Sequence, residues 1–514
     1  MQKEILVDTS LGEVRIAVAE NGKLVELYLE HEDAEHYAGD IYKGRVEDVL
    51  PGLGSAFVDI GHKKRGLLHA SDVVFTGIED IDEHFLAQAG ATGEAPSPAR
   101  GHISDILQPG QSLIVQVTKE SIGDKGPKLT TAVALPGRYL VLTPYADRVN
   151  ISSRIDDEAE RERLRPLVED AKPEGHGFII RTAARGIEPE FIFRDMEDLT
   201  EAWRRILKKA ERKRAPTLLY KDKDLLERVL RDQFTGDVDT FIVDSLATYE
   251  RVAALAGKYA PQLVPRVRLY EDDPPIFDAY GVEGEIERMF RRKIWLRSGG
   301  YIVIDEAEAL VAVDVNTGRF LGREDQEETI LKTNLEAAAE ITRQVRLRNI
   351  GGIIILDFID MTVPENKERV LETLKEHMAR DRARSKILEL SELGMVEMTR
   401  QRQRGSLVSS LSRPCPYCHG RGSVLDLDVL GAKIERELLR RLRDAGGAEL
   451  TIVVHPRVKD FLETAFADRL SRLEIDHDAQ LTVISRDDLA LDDAEISGSR
   501  RRAEKNVNPR ELEP

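Results

Sequence analysis

The sequence predicts a multidomain α/β (α+β) protein, and three observations carry that reading. At 514 residues the chain is too long for one ordinary domain, and its length points to roughly three to five modules. Its first 135 residues are dominated by short strand patterns broken by glycines. Beyond about residue 200, helical periodicity alternates with apolar strand-like runs.

The elements follow in chain order. Residues 1–36 open directly in strand pattern, without the apolar run and small-residue cleavage site of a signal peptide. Residues 13–18 and 24–29 alternate as strands, and Glu20-Asn21-Gly22-Lys23 between them carries an Asn-Gly hairpin signal. Two strands are not a stable unit, so later sequence is expected to complete their sheet. Short strands punctuated by Gly39, Gly44, Gly52, Gly54, Gly61 and Gly66 have the spacing of a small barrel. About 76–108 reads as a long loop, and strand pattern returns at 112–117. A basic helix is expected near 199–215, ended by Pro216, and helical periodicity covers about 222–256. Residues 301–305 and 309–315 pair as a hairpin across Glu306-Ala307-Glu308. A long helix is expected over about 325–348, with Leu331, Leu335, Ala338, Ile341 and Val345 on one face and Asn349 and Gly351-Gly352 as its stop. The apolar run 353–359 reads as a buried strand. A helix follows at about 364–379, then a small α/β domain at 425–490, and from Gly498 a charged, aperiodic stretch with the pattern of a disordered tail.

Composition narrows the function classes. No stretch approaches the roughly 20 apolar residues of a membrane span. Two cysteines in so long a chain argue against a disulfide framework and for a reducing, cytoplasmic setting. The net charge of −18 requires that any nucleic-acid path be a confined basic groove rather than a generally positive surface.

Asp314 and Asp357 sit in or at the end of apolar strands, where a charge is costly unless paired or metal-bound. Asp360 adds a third carboxylate. Hard carboxylate oxygens suit Mg²⁺, which lowers the pKa of a bound water and neutralises phosphodiester charge. Asn316, two residues on, shares the face of Asp314. The bland alternative is that each Asp is a cap or surface residue. Asp314-Val315-Asn316-Thr317-Gly318, Asn334-Leu335-Glu336-Ala337, Arg346-Leu347-Arg348-Asn349-Ile350-Gly351-Gly352 and Asp357-Phe358-Ile359-Asp360-Met361, in this order, closely resemble the catalytic region of the ribonuclease E/G family. The resemblance implies that Asp314 and Asp357 bind a catalytic Mg²⁺ with Asn316 in support. The Asn-Thr-Gly form of the first motif is closer to the ribonuclease G branch, as is a chain ending at residue 514 without a long C-terminal scaffold.

The segments 39–46, 54–61 and 66–69 resemble an OB-fold RNA-binding module. Phe57 would stack bases, Lys43, Arg45, Lys63, Lys64 and Arg65 would meet phosphates, and Leu67 stands where some relatives carry an aromatic. Gly177-Phe178-Ile179-Ile180-Arg181-Thr182-Ala183 resembles the family's 5′-sensor. The resemblance implies that Arg181 and Thr182 hold a 5′-monophosphate, with Val141 lining the same pocket. Cys415-Pro416-Tyr417-Cys418-His419 is open to four readings: a haem signature, a redox pair, two buried thiols or a zinc knuckle. The absent leader argues against haem and the absent thioredoxin pattern against redox. A structural zinc wants four ligands, so His419 and another residue complete the set or two chains contribute a pair each. The resemblance implies the second, a homodimer clamped through Cys415 and Cys418, with tetramers of such dimers left open.

The implied architecture is a split RNase-H-like domain (1–36 and 221–288) with an inserted OB-fold (37–130) and 5′-sensor (131–220). A DNase-I-like catalytic domain (289–410), a zinc link (411–424), a small domain (425–497) and a tail (498–514) follow. The implied activity is Mg²⁺-dependent endonucleolytic cleavage of single-stranded A/U-rich RNA in rRNA and tRNA maturation and mRNA decay. It would be stimulated by a 5′-monophosphate and leave 5′-phosphate and 3′-hydroxyl ends. The rival readings are a non-catalytic RNA-binding or ribosome-assembly factor, which loss of either aspartate would favour, and a metal-dependent DNA nuclease.

Overall fold

A computed structural model describes residues 2–31, 36–73, 102–121, 126–318, 326–391, 394–402, 405–418, 420–443 and 448–500. The chain divides into two compact units, residues 1–404 and 405–514.

In the first unit, Lys3–Asp8, Glu13–Glu20 and Lys23–His31 pair antiparallel in series. Asn21 and Gly22 make the last turn in the left-handed backbone their residue types tolerate. Thr240–Val243 and Val267–Leu269 complete the sheet, parallel to Lys3–Asp8. The stretch 222–256 is therefore not continuous helix. It is Leu225–Gln233, a strand, and Leu246–Tyr259. Phe241 and Val243 of that short strand lie wholly within the core, beside Phe234 and Val252. Tertiary demand for an apolar central strand overrides the helical pattern around it.

Five strands close into a barrel: Ile41–Leu50, Ser55–Asp59, Gly66–His69, Lys128–Thr130 and Ser112–Lys119. The first pairs with both the second and the last. Tyr42, Val46, Val58, Leu68, Val117 and Leu129 fill it. Most of the predicted 76–108 loop lies outside the described residues, and Ile103–Ile106 within it is a short helix. A four-stranded sheet of Val149–Ile151, Gly177–Ile180, Leu140–Thr143 and Leu135–Pro136 follows. Against it packs Pro189–Arg212, a helix that starts about ten residues before the predicted 199 and buries Ile192, Met196, Trp203 and Ile206.

The last sheet of this unit has the order Lys293–Trp295, Tyr301–Glu306, Leu310–Asn316, Gly352–Asp357, Met395–Arg400, Ser385–Leu390. Gln326–Leu347 and Pro364–Met378 cover one of its faces with Ala338, Ile341, Val345, Val370 and Leu374. Asn349 ends the long helix in left-handed backbone (φ 51°), with Asn349 N–H on the Arg346 carbonyl and Ile350 N–H on the Val345 carbonyl. That is the Schellman pattern expected of a helix stop.

In the second unit, Ala448–Val454 pairs parallel with Gln480–Ser485 and antiparallel with Ala494–Arg500, under Leu427–Arg443, Pro456–Glu463 and Ala467–His477. The predicted tail boundary at Gly498 is too early, because the strand continues to residue 500. A Cβ at Gly498 would lie 2.4 Å from the Glu449 carbonyl oxygen, so this glycine permits the pairing that its residue type seemed to end. Residues 501–514 lie outside the described residues. Among the described residues no helix is long and apolar enough to cross a membrane.

Arg346 ties the long helix to the N-terminal sheet. Its Nη2 donates to Glu20 at 2.8 Å and to Glu26 at 3.0 Å, with all three side chains largely buried. Burial alone would raise the Glu26 carboxyl, but the charges of Arg346 and Arg382 reverse this and hold it below the usual carboxylate range. Such a group stabilises the fold above the unfolded carboxyl value and loses that contribution as pH falls through its folded value. Arg346→Met should therefore lower stability by about 3–5 kcal/mol in urea unfolding at neutral pH. The gap to wild type should narrow below roughly pH 4, as the stranded glutamates protonate.

Candidate active site and nucleic-acid interface

Leu310–Asn316 and Gly352–Asp357 run parallel, with Asp314 directly beside Asp357. Burial alternates along both strands. Val311, Val313, Val315, Ile354 and Leu356 face the helices, whereas Asp314 and Asp357 are exposed on the other face. The run 353–359 is thus not a strand buried on both faces as its composition suggests, since Ile353 is 50% exposed. The reason is topological. This parallel pair is flanked by antiparallel strands, and both helices lie on one side.

Asn316 Nδ2 donates to Asp314 Oδ2 at 2.6 Å, as the two-residue spacing predicts. Partial burial and the negative charges of Asp314 and Asp360 push the Asp357 carboxyl above the usual range. The site is an acidic pair with a third carboxylate near it and an amide orienting one member. Among the described residues no group of three or more His, Cys, Asp or Glu is set to hold an ion. Two carboxylates open to water nevertheless match the one or two protein ligands that Mg²⁺ commonly takes.

Sequence reasoning missed how the end of the Asp357 strand is held. Asn334, wholly buried on the long helix, donates through Nδ2 to the Ile359 carbonyl at 2.8 Å and accepts the Ile359 N–H at 3.1 Å. An Asn in the middle of an apolar helical face was the available signal.

On the barrel, Phe57 is half-buried on the outer surface, directly across from Leu67, which is 36% exposed. Arg65 lies over the Phe57 ring at 5.0 Å and also reaches Asp48 at 3.0 Å. Lys128 is beside Leu67 in register and pairs with Asp72 at 2.8 Å, a cation that only the barrel's closure reveals. Arg45 is exposed. Lys43 donates to the Ala210 carbonyl at 2.8 Å, so it caps the last turn of Pro189–Arg212 rather than joining the Phe57 surface.

Val141 pairs with Ile179, placing it diagonal to Arg181 on one face of the four-stranded sheet. Arg181 donates to the Gly137 carbonyl, and its Nη2 pairs with Asp232 at 2.6 Å. Although burial raises it, the Asp232 carboxyl is held well below the usual range by Arg231 and Arg181. Thr182 is exposed, with its hydroxyl 3.1 Å from that of Ser152.

In the second unit Cys415 is exposed and Cys418 buried. Gly420 and Gly422 take left-handed backbone, curling the chain so that the Gly422 N–H donates to Cys418 Sγ at 3.4 Å. That donation holds the Cys418 thiol below its ordinary value. Arg421 anchors the turn through both oxygens of Asp492 at 2.7–2.8 Å. Backbone N–H groups aimed at a sulfur are a setting for a metal thiolate. His419 lies outside the described residues.

Asn334→Ala would leave the Ile359 N–H and carbonyl without their partners, at about 1–3 kcal/mol for each group. Thermal unfolding should show that loss, and an unchanged unfolding temperature would show that the clamp carries no stability.

A model of the Ribonuclease E/G family matches residues 134–403. Ribonuclease G of Salmonella typhimurium (strain SL1344) is 41% identical over 475 residues, covering 92% of this chain and 95% of the relative. Ribonuclease G of Escherichia coli (strain K12) is 40% identical over the same length, with the same coverage. Ribonuclease E of Nostoc sp. (strain PCC 7120) is 39% identical over 424 residues, covering 80% of this chain and 59% of the relative. With the family match reaching across the Asp314–Asp357 pair and these relatives spanning nearly the whole chain, the protein belongs to the ribonuclease E/G family.

Proposed function

We propose that this protein is an Mg²⁺-dependent endoribonuclease that cuts single-stranded, A/U-rich RNA, acts in rRNA and tRNA maturation and mRNA decay, and is stimulated by a 5′-monophosphate. The observation that carries this reading is the side-by-side placement of Asp314 and Asp357 on an uncovered sheet face, with Asn316 bonded to one of them, in a chain of the ribonuclease E/G family. Asp314 and Asp357 would hold the ion, with Asp360 close enough to add its charge. When bound, Mg²⁺ supplies an acidified water and neutralises charge on the scissile phosphate. Asn316 fixes the rotamer of Asp314, and Asn334 fixes the backbone that follows Asp357. Cleavage leaves a 5′-phosphate and a 3′-hydroxyl.

Phe57 and Leu67, flanked by Arg45, Arg65 and Lys128, offer unpaired bases an apolar surface with cations around it. Arg181, Thr182 and Val141 form the 5′-phosphate pocket, where Asp232 is the carboxylate a phosphate would meet at Arg181. The sheet of 3–31 with 240–269, the closed barrel and the six-stranded sheet support the split RNase-H-like, OB-fold and DNase-I-like assignments respectively. Cys415 and Cys418, with the Gly422 N–H on one sulfur, supply half of a tetrahedral zinc set, and a second chain supplies the rest.

The test is cleavage of a 5′-monophosphorylated A/U-rich single-stranded RNA with and without Mg²⁺. Asp314→Asn and Asp357→Asn should each lower turnover about a hundred-fold or more. Cleavage that persists without the ion, or in either variant, refutes the mechanism. Chelation of zinc should convert dimers to monomers in light scattering, and an undiminished dimer would sink the shared-zinc assignment.

A further inference from the structure

The exposed face that carries the carboxylates continues across the sheet into an aromatic patch. Register sets two cross-strand rows on it. Trp295, Tyr301 and Asn316 form one, and Lys293, Val303, Asp314 and Asp357 form the next. Trp295 and Tyr301 meet edge to face with centroids 5.3 Å apart. Lys293 Nζ lies 4.3 Å from the Trp295 ring and 3.4 Å from that of Tyr301. The cation fixes both rings, yet Trp295 remains 59% exposed. A lone surface tryptophan needs no explanation, but two aromatics and a lysine in register with a carboxylate pair form a concentrated feature.

The charge around the patch is complementary to a polyanion. Trp295 and Lys293 border a cleft of about 990 Å³ that Arg288, Arg291 and Arg297 also line. Three of the four carboxylates lining the same cleft are engaged by arginines, Glu285 and Glu340 by Arg343 at 2.6 Å and Glu20 by Arg346 at 2.8 Å, and the fourth, Glu336, accepts the Ser298 N–H at 2.9 Å. In a chain of net charge −18, this is a local basic rim beside an exposed indole. Aromatic faces next to cations are how proteins hold single-stranded nucleic acid without reading its sequence.

We propose that Trp295 and Tyr301, braced by Lys293, form a stacking platform for a base of single-stranded RNA beside the scissile phosphate. The proposal rests on the nuclease reading of Asp314 and Asp357 and adds a positioning element to it. Trp295 stands two strand spacings across and two residues along from Asp314, roughly 12 Å. The stacked base therefore belongs to a nucleotide near the cut rather than at it, and its phosphates run along the rim of Arg291 and Arg297. The platform is separate from the Phe57 surface on the barrel, so the RNA would be held at two places.

The chain has two tryptophans, and Trp203 is 3% exposed. The acrylamide-accessible part of the tryptophan emission therefore reports on Trp295, while buried Trp203 contributes a constant background. In full-length Asp357→Asn protein, a short oligouridylate should quench this emission and shield it from acrylamide. A fully paired RNA duplex should do neither, and Trp295→Phe should abolish the signal. In otherwise wild-type enzyme, Trp295→Ala should raise KM about 5- to 150-fold with most of the effect on KM, the span of one lost base stack. Trp295→Phe should restore most of the loss. A purely structural role would move the unfolding temperature and leave this KM-against-kcat split and the Phe rescue absent.

Mg²⁺-dependent cleavage with unchanged Trp295 emission and wild-type Trp295→Ala kinetics overturns the platform and leaves the nuclease reading standing. Quenching by oligouridylate without any cleavage does the reverse. Emission that depends on protein concentration alone, and not on RNA, assigns the patch to a second copy of the chain and overturns the proposal.

Discussion

Two carboxylates one strand apart repel each other, and the six-stranded sheet with its two helices keeps Asp314 beside Asp357. Like charges in register on neighbouring strands are destabilising, so the pairing must be set by something stronger than the pair itself. It is set on the other face of the sheet. Val311, Val313, Ile354 and Leu356 lock into the helices, and a slip of one residue would turn that whole apolar set to water. Asn334 then pins the Ile359 backbone. Arg400 joins Asp381 to the Ile350 carbonyl and the Asn349 side chain, holding the next strand against the helix stop. The hydrophobic face fixes the register, and the polar face inherits a geometry it would not choose.

What was legible in the sequence follows the range of the forces involved. The Asn21-Gly22 turn, the long helix with its stop at Asn349, and the Asp314–Asn316 relation depend on neighbours within a few residues, and all are present. Three features could not be read locally. The Thr240–Val243 strand lies between helices, and only its partner 236 residues away makes it a strand. The exposure of Ile353 depends on which side of the sheet the helices occupy. Lys43 carries the right charge at a sensible place in the barrel, yet the arrival of Pro189–Arg212 commits it to the Ala210 carbonyl. Side-chain chemistry was readable, but its allocation among partners was not.

The order of the chain explains why distant parts act as one body within residues 1–404. The N-terminal sheet is opened by residues 3–31 and closed by 240–269, so the barrel and four-stranded sheet are inserted between its halves. Contacts back across this insertion are made by arginines. Arg346 spans to Glu20 and Glu26, Arg154 reaches the carbonyls of Asp381 and Ala383, and Arg181 and Arg231 share Asp232. A planar fork with several donors suits a junction that must satisfy carboxylates and carbonyls at once.

That allocation also bears on the acidic pair. Several acids of the larger unit with little access to water are matched by a guanidinium: Glu26 by Arg346, Asp232 by Arg231 and Arg181, Asp381 by Arg400. Among the described residues no Arg or Lys pairs with Asp314 or Asp357, and the groups that perturb Asp357 electrostatically are both carboxylates. Two adjoining aspartates held by register, with no Arg or Lys paired to either among the described residues, are the arrangement that the proposed Mg²⁺ site requires. A small divalent ion, as proposed, would neutralise both carboxylates at once and still keep open positions for water and phosphate.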